Sequence, residues 1–369
     1  MKASGTPLSP LKFSPTVGRD FSSTLKKRVR AYFKENDISR NANADMVIKT
    51  IFMISLYFVP YILILTGVLT GPWLILLGYI LMGFGMAGIG LSIMHDANHG
   101  AYSKKDRTNK YIGRIINLVG GYAPTWKIQH NVLHHTYTNI FGYDEDIAPA
   151  ISILRFSPDD EHNKAHRFQY IFAWFFYGLM TFMWITTKDF TQLYRYKKMG
   201  LTKIESEKFR TLIAELIISK IFYYAYVVVL PILVLDISWW LIAIYVFIMH
   251  YVASLILGTT FQPGHIVPET KFINPDKDDM TVENNWMIHQ METTSNYAPG
   301  SRWFSWLIGG INFQVEHHLF PNICHVHYKK LSKIVKSTAE EFNVPYNSHR
   351  TFGAALLYHT KMLKSLGRS

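Results

Sequence analysis

Five apolar blocks, at residues 51–70, 73–94, 168–187, 212–235 and 239–261, limit what this chain can fold into. Each runs for about 20 residues, enough for an α-helix to cross a hydrocarbon layer of about 30 Å. The expected fold class is all-α and integral to a membrane. Composition agrees: hydrophobic residues fill 49% of the 369 positions and charged residues only 17%, low for a water-soluble enzyme of this size. A net charge of +12 would also suit a nucleic-acid binder. The cations flank the apolar blocks, however, instead of forming a stripe around a recognition motif, so they read as orientation signals and no nucleic-acid partner is expected. The single cysteine, Cys324, excludes an internal disulfide and any cysteine-based zinc or iron–sulfur site. No signal peptide is apparent in the polar first fifty residues, and the first apolar block is expected to direct its own insertion.

The blocks pair into hairpins. TGPW joins the first two, and three residues separate the last two. Three histidine clusters lie outside the blocks, and if they build one site an even number of spans must separate residues 135 and 317. Block 168–187, rich in Phe, Trp and Tyr, is then the one that does not span and is expected as an interfacial or re-entrant helix. The result is four transmembrane helices in two hairpins, with a histidine-rich cap and one interfacial helix. Lys26, Lys27, Arg28, Arg30, Lys104, Lys105, Arg107 and Lys110 fall on the cap side, whereas the hairpin tips carry no Lys or Arg, so the cap is expected to be cytoplasmic. Residues 1–46 are expected as a cytoplasmic segment, a loose tail (1–20) and then an amphipathic helix around 22–34. The membrane domain takes 47–340, and 341–369 is expected as a cytoplasmic tail. No internal repeat or low-complexity tract occurs.

Seven of the 16 histidines lie in three short runs. HDANH places His95 and His99 four apart, on one face of a helix, where both can bind one metal. In HNVLHH, His130 and His134 share a face and His135 points about 100° away, so His134 and His135 can serve different metals. QVEHH ends in His317 and His318. The chain holds its own control, since His162 and His166 in EHNKAH have the same spacing within a charged loop and read as a solvated pair. Imidazole suits zinc, copper and iron alike. More than six histidines at one place imply two ions.

HDANHG, QHNVLHHTYTN and NFQVEHHLFP resemble the three histidine boxes of the membrane fatty acid desaturases, over roughly residues 45–340. The glutamine-led third box resembles the front-end subgroup, which includes sphingolipid desaturases. The resemblance implies two iron ions, O2 as co-substrate and two electrons from an external donor, used to place a cis double bond in an acyl chain. A delta-5 or delta-6 type acting on an unsaturated chain such as linoleoyl, carried as an acyl-CoA or acyl-lipid, is what the subgroup implies. It also implies an eighth ligand at the end of the fourth span, placed at His265, beside His95, His99, His130, His134, His135, His317 and His318. Gln314 is expected to bind weakly or to hydrogen-bond a ligand, with an N-cap role as the alternative. Asp96, Asn98, Asn131, Asp144, Asp146 and Glu316 are expected to accept from imidazole N–H groups.

His250 lies inside the fourth span, a costly position that suggests a tunnel wall or a bond to backbone. His289, His325 and His327 are expected at the surface, Glu215 and Lys220 as a pair or as snorkelling ends, and Cys324 as a packed small residue. No HPGG haem motif of a fused cytochrome b5 occurs, so a separate ferredoxin or cytochrome b5 is the expected donor, steered by Lys26, Lys27, Arg30, Lys104, Lys329 and Lys336 if it is acidic. The same cations can hold anionic lipid. A bacterial inner membrane is expected in preference to the endoplasmic reticulum. Two other readings remain: a hydroxylase or sphingolipid-type desaturase of the same superfamily, and a non-enzymatic membrane zinc-binding receptor.

Overall fold

The computed structural model describes residues 10–148, 152–205, 207–275 and 280–368. From the N-terminus, α1 (Arg19–Glu35) precedes α2 (Ala44–Leu65) and α3 (Pro72–Asn98), then a bent pair, α4 (Lys164–Tyr177) and α5 (Met180–Lys198). Next come α6 (Phe209–Val234), α7 (Trp239–Gly264), α8 (Trp286–Thr293), α9 (Gln314–Leu319), α10 (Tyr328–Glu341) and α11 (Phe352–Leu366). Among the described residues, α2, α3, α6 and α7 are each long and apolar enough to cross a membrane. The chain is a multi-pass membrane protein. With no water in the hydrocarbon layer to satisfy backbone groups, helices of this kind are one of the few structures able to cross it. Their outward positions carry Ile51, Ile62, Ile218, Ile221 and Leu233, all exposed, a surface suited to lipid.

The first span starts seven residues before its apolar block. Asn43 caps it, its Oδ1 accepting from the Met46 N–H at 3.1 Å, and the turns that follow carry Asp45 and Lys49. Helix α3 runs between α2 and α7, and its glycines let the three backbones close up. A Cβ at Gly85 would lie 2.6 Å from Tyr57 N of α2, and one at Gly83 would lie 2.7 Å from the Met249 carbonyl of α7. The obstructing atoms are backbone and cannot turn aside. Gly85→Ala is therefore expected to destabilise the detergent-solubilised protein by at least about 1–3 kcal/mol, read as a lowered Tm.

Block 168–187 is not one helix. It breaks at Gly178–Leu179, where α4 and α5 meet at 64°. Gly178 lies under the Tyr251 ring, and the freed Thr181 N–H donates to Ser254 Oγ of α7 at 2.9 Å, which satisfies the break from within the protein.

The amphipathic helix expected around 22–34 is present as α1, and residues 10–20 and the C-terminal segment also pack against the rest of the chain. Phe21, Leu25 and Val29 of α1 pack with Met287 and Met291 of α8, Val315 of α9, and Leu331 and Val335 of α10 in one core. Lys12–Phe13 pairs in parallel with Thr281–Val282; residues 1–9 lie outside the described residues. Helix α11 turns Ala355, Leu363 and Leu366 inward and docks by His359, whose ring nitrogens meet Tyr177 Oη and the Ile266 carbonyl, both at 2.8 Å.

Candidate metal centre

Four pieces of chain deliver the histidines. The first box closes α3, after a π-helical turn at Ile89–Met94. The second follows an α-helical turn, Ala123–Lys127, that runs on into a π-turn, Ile128–His134. His265 follows α7, and the third box is α9, all six residues of which are buried. π-turns recur at functional sites because they re-aim side chains that α-helical phase would point elsewhere.

The second box shows the consequence. The His135 N–H bonds the His130 carbonyl five residues back at 3.0 Å, and the two Nε2 atoms stand 3.2 Å apart. His130 Nε2 is also 3.3 Å from His95 Nε2. His134 turns the other way, with ring centroids 4.7 Å from His265 and 4.8 Å from His318. His130 and His134, expected to share a face, come together with Asp146, and each also belongs to a separate group of imidazoles. His95, His99, His130 and His317 offer ring nitrogens all within 4.8 Å of one another, as do His134, His265 and His318. His135 stands between, within the same span of His317 and His318 and with its Nε2 3.0 Å from that of His317.

Hydrogen bonds set which nitrogen carries the proton. His130 Nδ1 donates to Asp146 Oδ2 at 2.5 Å, and His134 Nδ1 to Asp144 Oδ1 at 2.9 Å. His318 Nδ1 donates to Gln290 Oε1 at 2.8 Å, an amide oriented by its Nε2 bond to the His135 carbonyl. In all three the Nε2 lone pair is left facing inward. Nε2 of His99, His134 and His318 and both nitrogens of His265 have no hydrogen-bond partner although buried. An unmet buried polar atom costs about 1–3 kcal/mol, so a convergent set of them is the arrangement a cation would satisfy. Eight imidazoles in two adjoining groups exceed one tetrahedral site and fit two ions.

The electrostatics point the same way. Burial first, then the neighbouring imidazoles, hold His99, His130, His135, His265, His317 and His318 well below the ordinary histidine range. They are neutral near pH 7, the form that ligates metal. For His134 burial is outweighed by the charge and hydrogen bond of Asp144, which raise it. Such a carboxylate makes an imidazole a more basic ligand.

The expected outer partners divide. Asp144 and Asp146 take imidazole protons as expected, and Gln129 holds Asp146 in turn at 2.5 Å. Asn98, Asn131 and Glu316 do not. Asn98 Nδ2 reaches the Gly113 carbonyl, Asn131 Nδ2 the Asn98 carbonyl, and Glu316 lies between Asn296 Nδ2 at 2.8 Å and Tyr346 Oη at 3.0 Å. The sequence reading missed Gln290, Tyr328, whose Oη is 3.2 Å from His317 Nδ1, and Trp126, stacked 4.5 Å from His130. Nothing in the local pattern of WMIHQMET marks Gln290 out, since its role comes from a fold contact. Gln314 does not cap α9: Phe313 holds that position, and both amide atoms of the buried Gln314 lack partners. Its side chain packs on Gly264, where a Cβ would fall 2.5 Å from Gln314 Cγ, so it lies beside His265.

The remaining histidines part from expectation in instructive ways. His289, His325 and His327 are buried rather than at the surface. His166 is buried as well, closing a capping box with Asn163, while His162 meets the Gly367 carbonyl, and neither approaches the centre. His250 is held by Tyr223 Oη at 2.5 Å and Thr181 Oγ1 at 2.9 Å. Glu215 and Lys220 do not pair with each other: Glu215 takes Arg114 and Lys220 takes Asp189. Cys324 is buried, as expected.

Burial pushes the Glu316 carboxyl from 4.5 up to about 7, against the hydrogen bonds from Asn296 and Tyr346. Because the folded value is the higher one, its contribution to stability is complete below about pH 4.5 and is lost as pH rises through about 7. At about 1.4 kcal/mol per pH unit this amounts to roughly 3 kcal/mol. Glu316→Gln is expected to flatten that pH dependence in thermal unfolding of iron-free protein.

Comparison with known proteins agrees with this geometry. The family described as fatty acid desaturase matches residues 70–350. An sn-1 linoleoyl-lipid 6-desaturase of Arthrospira platensis is 35% identical over 361 residues, 97% of this chain and 95% of that protein. One of the same description from Synechocystis sp. is 34% identical, covering 96% and 97%. An acyl-lipid (8-3)-desaturase of Physcomitrium patens is 33% identical, covering 97% of this chain and 74% of its own. With its histidines gathered at the ends of apolar helices, the family matched over residues 70–350 and relatives matched along nearly its full length, this chain belongs to the fatty acid desaturases and is an oxidoreductase.

Proposed function

We propose that the chain is an O2-dependent front-end desaturase of acyl-lipids, with two irons held by His95, His99, His130, His134, His135, His265, His317 and His318. The observation carrying this is the pair of adjoining imidazole groups with unpartnered, inward-facing nitrogens. Bound iron would supply the O2 activation that hydrogen removal from an unactivated methylene requires. The chain supplies the rest. Asp144, Asp146 and Gln290 hold the proton on the outward Nδ1 and so keep three Nε2 lone pairs aimed inward. Burial excludes water, and the spans align an acyl chain whose reacting carbons must sit at a fixed depth. Overall, –CH2–CH2– + O2 + two electrons + two protons yields –CH=CH– and two waters.

The linoleoyl-lipid relatives support a polyunsaturated acyl-lipid as substrate, and their cyanobacterial sources a bacterial membrane. Exposed Lys26, Lys27 and Arg30 on α1 and Lys329, Lys333 and Lys336 on α10 support a cytoplasmic cap and an acidic ferredoxin or cytochrome b5 as donor. The α4–α5 pair is read as re-entrant, which keeps the third box on the same side as the first two.

The test is expression in a host lacking polyunsaturated acids, fed linoleate or α-linolenate, with double bonds located by mass spectrometry. A new bond between the carboxyl end and the existing ones is the expected product. A hydroxylated chain would instead select the hydroxylase reading. Gln314→Ala is expected to keep bound iron and lower turnover about 10- to 100-fold, through loss of an outer contact to His265 or its ion.

A further inference from the structure

Lys49 is a lysine in the first span with almost no exposure, and none of the chemistry above uses it. Its Nζ lies 2.6 Å from His325 Nε2. An ammonium has no lone pair, so it donates, and His325 Nε2 must be the accepting nitrogen. The proton of the neutral ring is thereby fixed on Nδ1, which donates to Asp96 Oδ2 at 2.8 Å. The same oxygen accepts the His325 backbone N–H at 3.1 Å. The other oxygen, Asp96 Oδ1, faces His95 Nδ1 at 3.8 Å, and that nitrogen has no hydrogen-bond partner of its own. Lys49, His325 and Asp96 are all buried, Cys324 closes the cluster, and the Trp306 ring lies 5.2 Å from the ammonium on the other side.

Three distant stretches are joined in this way: α2, the turn after the third box, and the first box itself. A carboxylate this deep is stable only with its charge balanced, and the cation that balances it comes from another span through a neutral imidazole. We propose that Lys49 and His325 are positioning residues, which through Asp96 hold the His95 ring, and with it the first-box metal, in register with α2. This rests on the metal-centre reading and adds to it a group outside the histidine boxes. It assigns Lys49 a role in the centre although it lies 46 residues before His95 in the chain.

The experiment compares Lys49→Met, His325→Leu and His325→Gln with the unaltered chain, all purified in detergent and loaded with iron. Glutamine can keep both bonds, its carbonyl accepting from Lys49 and its amide donating to Asp96; leucine keeps neither. Iron affinity and the Mössbauer spectrum of the bound iron are read beside turnover. Lys49→Met and His325→Leu are expected to lose about 10- to 100-fold in iron affinity and to change the spectrum of one iron site only, with the KM for substrate unmoved and His325→Gln restoring both. The proposal is overturned if the spectrum and affinity of either disruptive variant match the unaltered chain, or if His325→Gln is as impaired as His325→Leu. Failure of both Lys49→Met and His325→Leu to accumulate as folded protein would assign the cluster to folding and also overturn it. A normal iron spectrum without any desaturated product would refute the activity while leaving this inference tested, whereas absence of iron from the unaltered chain would remove both.

Discussion

His134→Ala is expected to abolish product formation, by more than about 100-fold, which is the most that loss of an outer partner of a metal ligand usually brings. Bound iron should fall with it, because His134 is one of three imidazoles in its group and no unused histidine adjoins it. Burial makes the loss hard to repair: the vacated position is closed to water on all sides. His162→Ala provides the matched control, a histidine four residues from another whose ring meets the Gly367 carbonyl away from the centre. Its product yield and iron content should be unchanged. Iron by elemental analysis and product by mass spectrometry decide the matter, and full activity in His134→Ala would refute the assignment of the centre.

The second large effect is expected at Asp144, which is not among the proposed ligands. Its carboxylate and His134 are both completely buried, and it accepts from four groups: His134 Nδ1 at 2.9 Å and the backbone N–H groups of Asn139, Asp146 and Ile147 at 2.9, 3.0 and 3.5 Å. Asp144→Ala leaves those donors unmet and the ring free to turn. Removing one partner of a buried pair costs about 3–5 kcal/mol, and weakening the ligand costs about 10- to 100-fold in metal affinity. Asp144→Asn keeps one accepting oxygen and should fall between the two. Competition with a graded series of chelators measures the affinity and a thermal melt the stability. If Asp144→Ala holds iron as tightly as the unaltered chain, the orientation argument for His134 fails.

Much of this protein was legible before its structure. Four spans, their pairing and the three boxes follow from runs of apolar residues, two short connections and histidine spacing, whereas His265 was pointed to by the family resemblance alone. The span ends moved by up to seven residues, because Asn43 caps α2 early and draws Asp45 and Lys49 into the helix. The amphipathic α1 was foreseen, but the docking of α11 was not, because its partner α4 lies far along the chain. The surface assignment of His289, His325 and His327 failed for the same reason: polar local surroundings do not show what folds over them.

What the sequence determined by itself is the medium and the chemistry. Apolar run length selects a bilayer because the transfer of each residue depends on that residue alone, and seven histidines in three short runs point to a metal because ligand type is a property of the side chain. What only the tertiary structure decided is direction. The π-turn at Ile128–His134 brings His135 Nε2 to 3.2 Å from His130 Nε2, which α-helical counting does not foresee. Asp144, Tyr328 and Gln290 meet the Nδ1 atoms of His134, His317 and His318, and Lys49 meets His325 across 276 residues. A hydrogen bond needs its two atoms within about 3 Å along the right line, and that condition is met by the packing of helices rather than by the order of residues in any one of them.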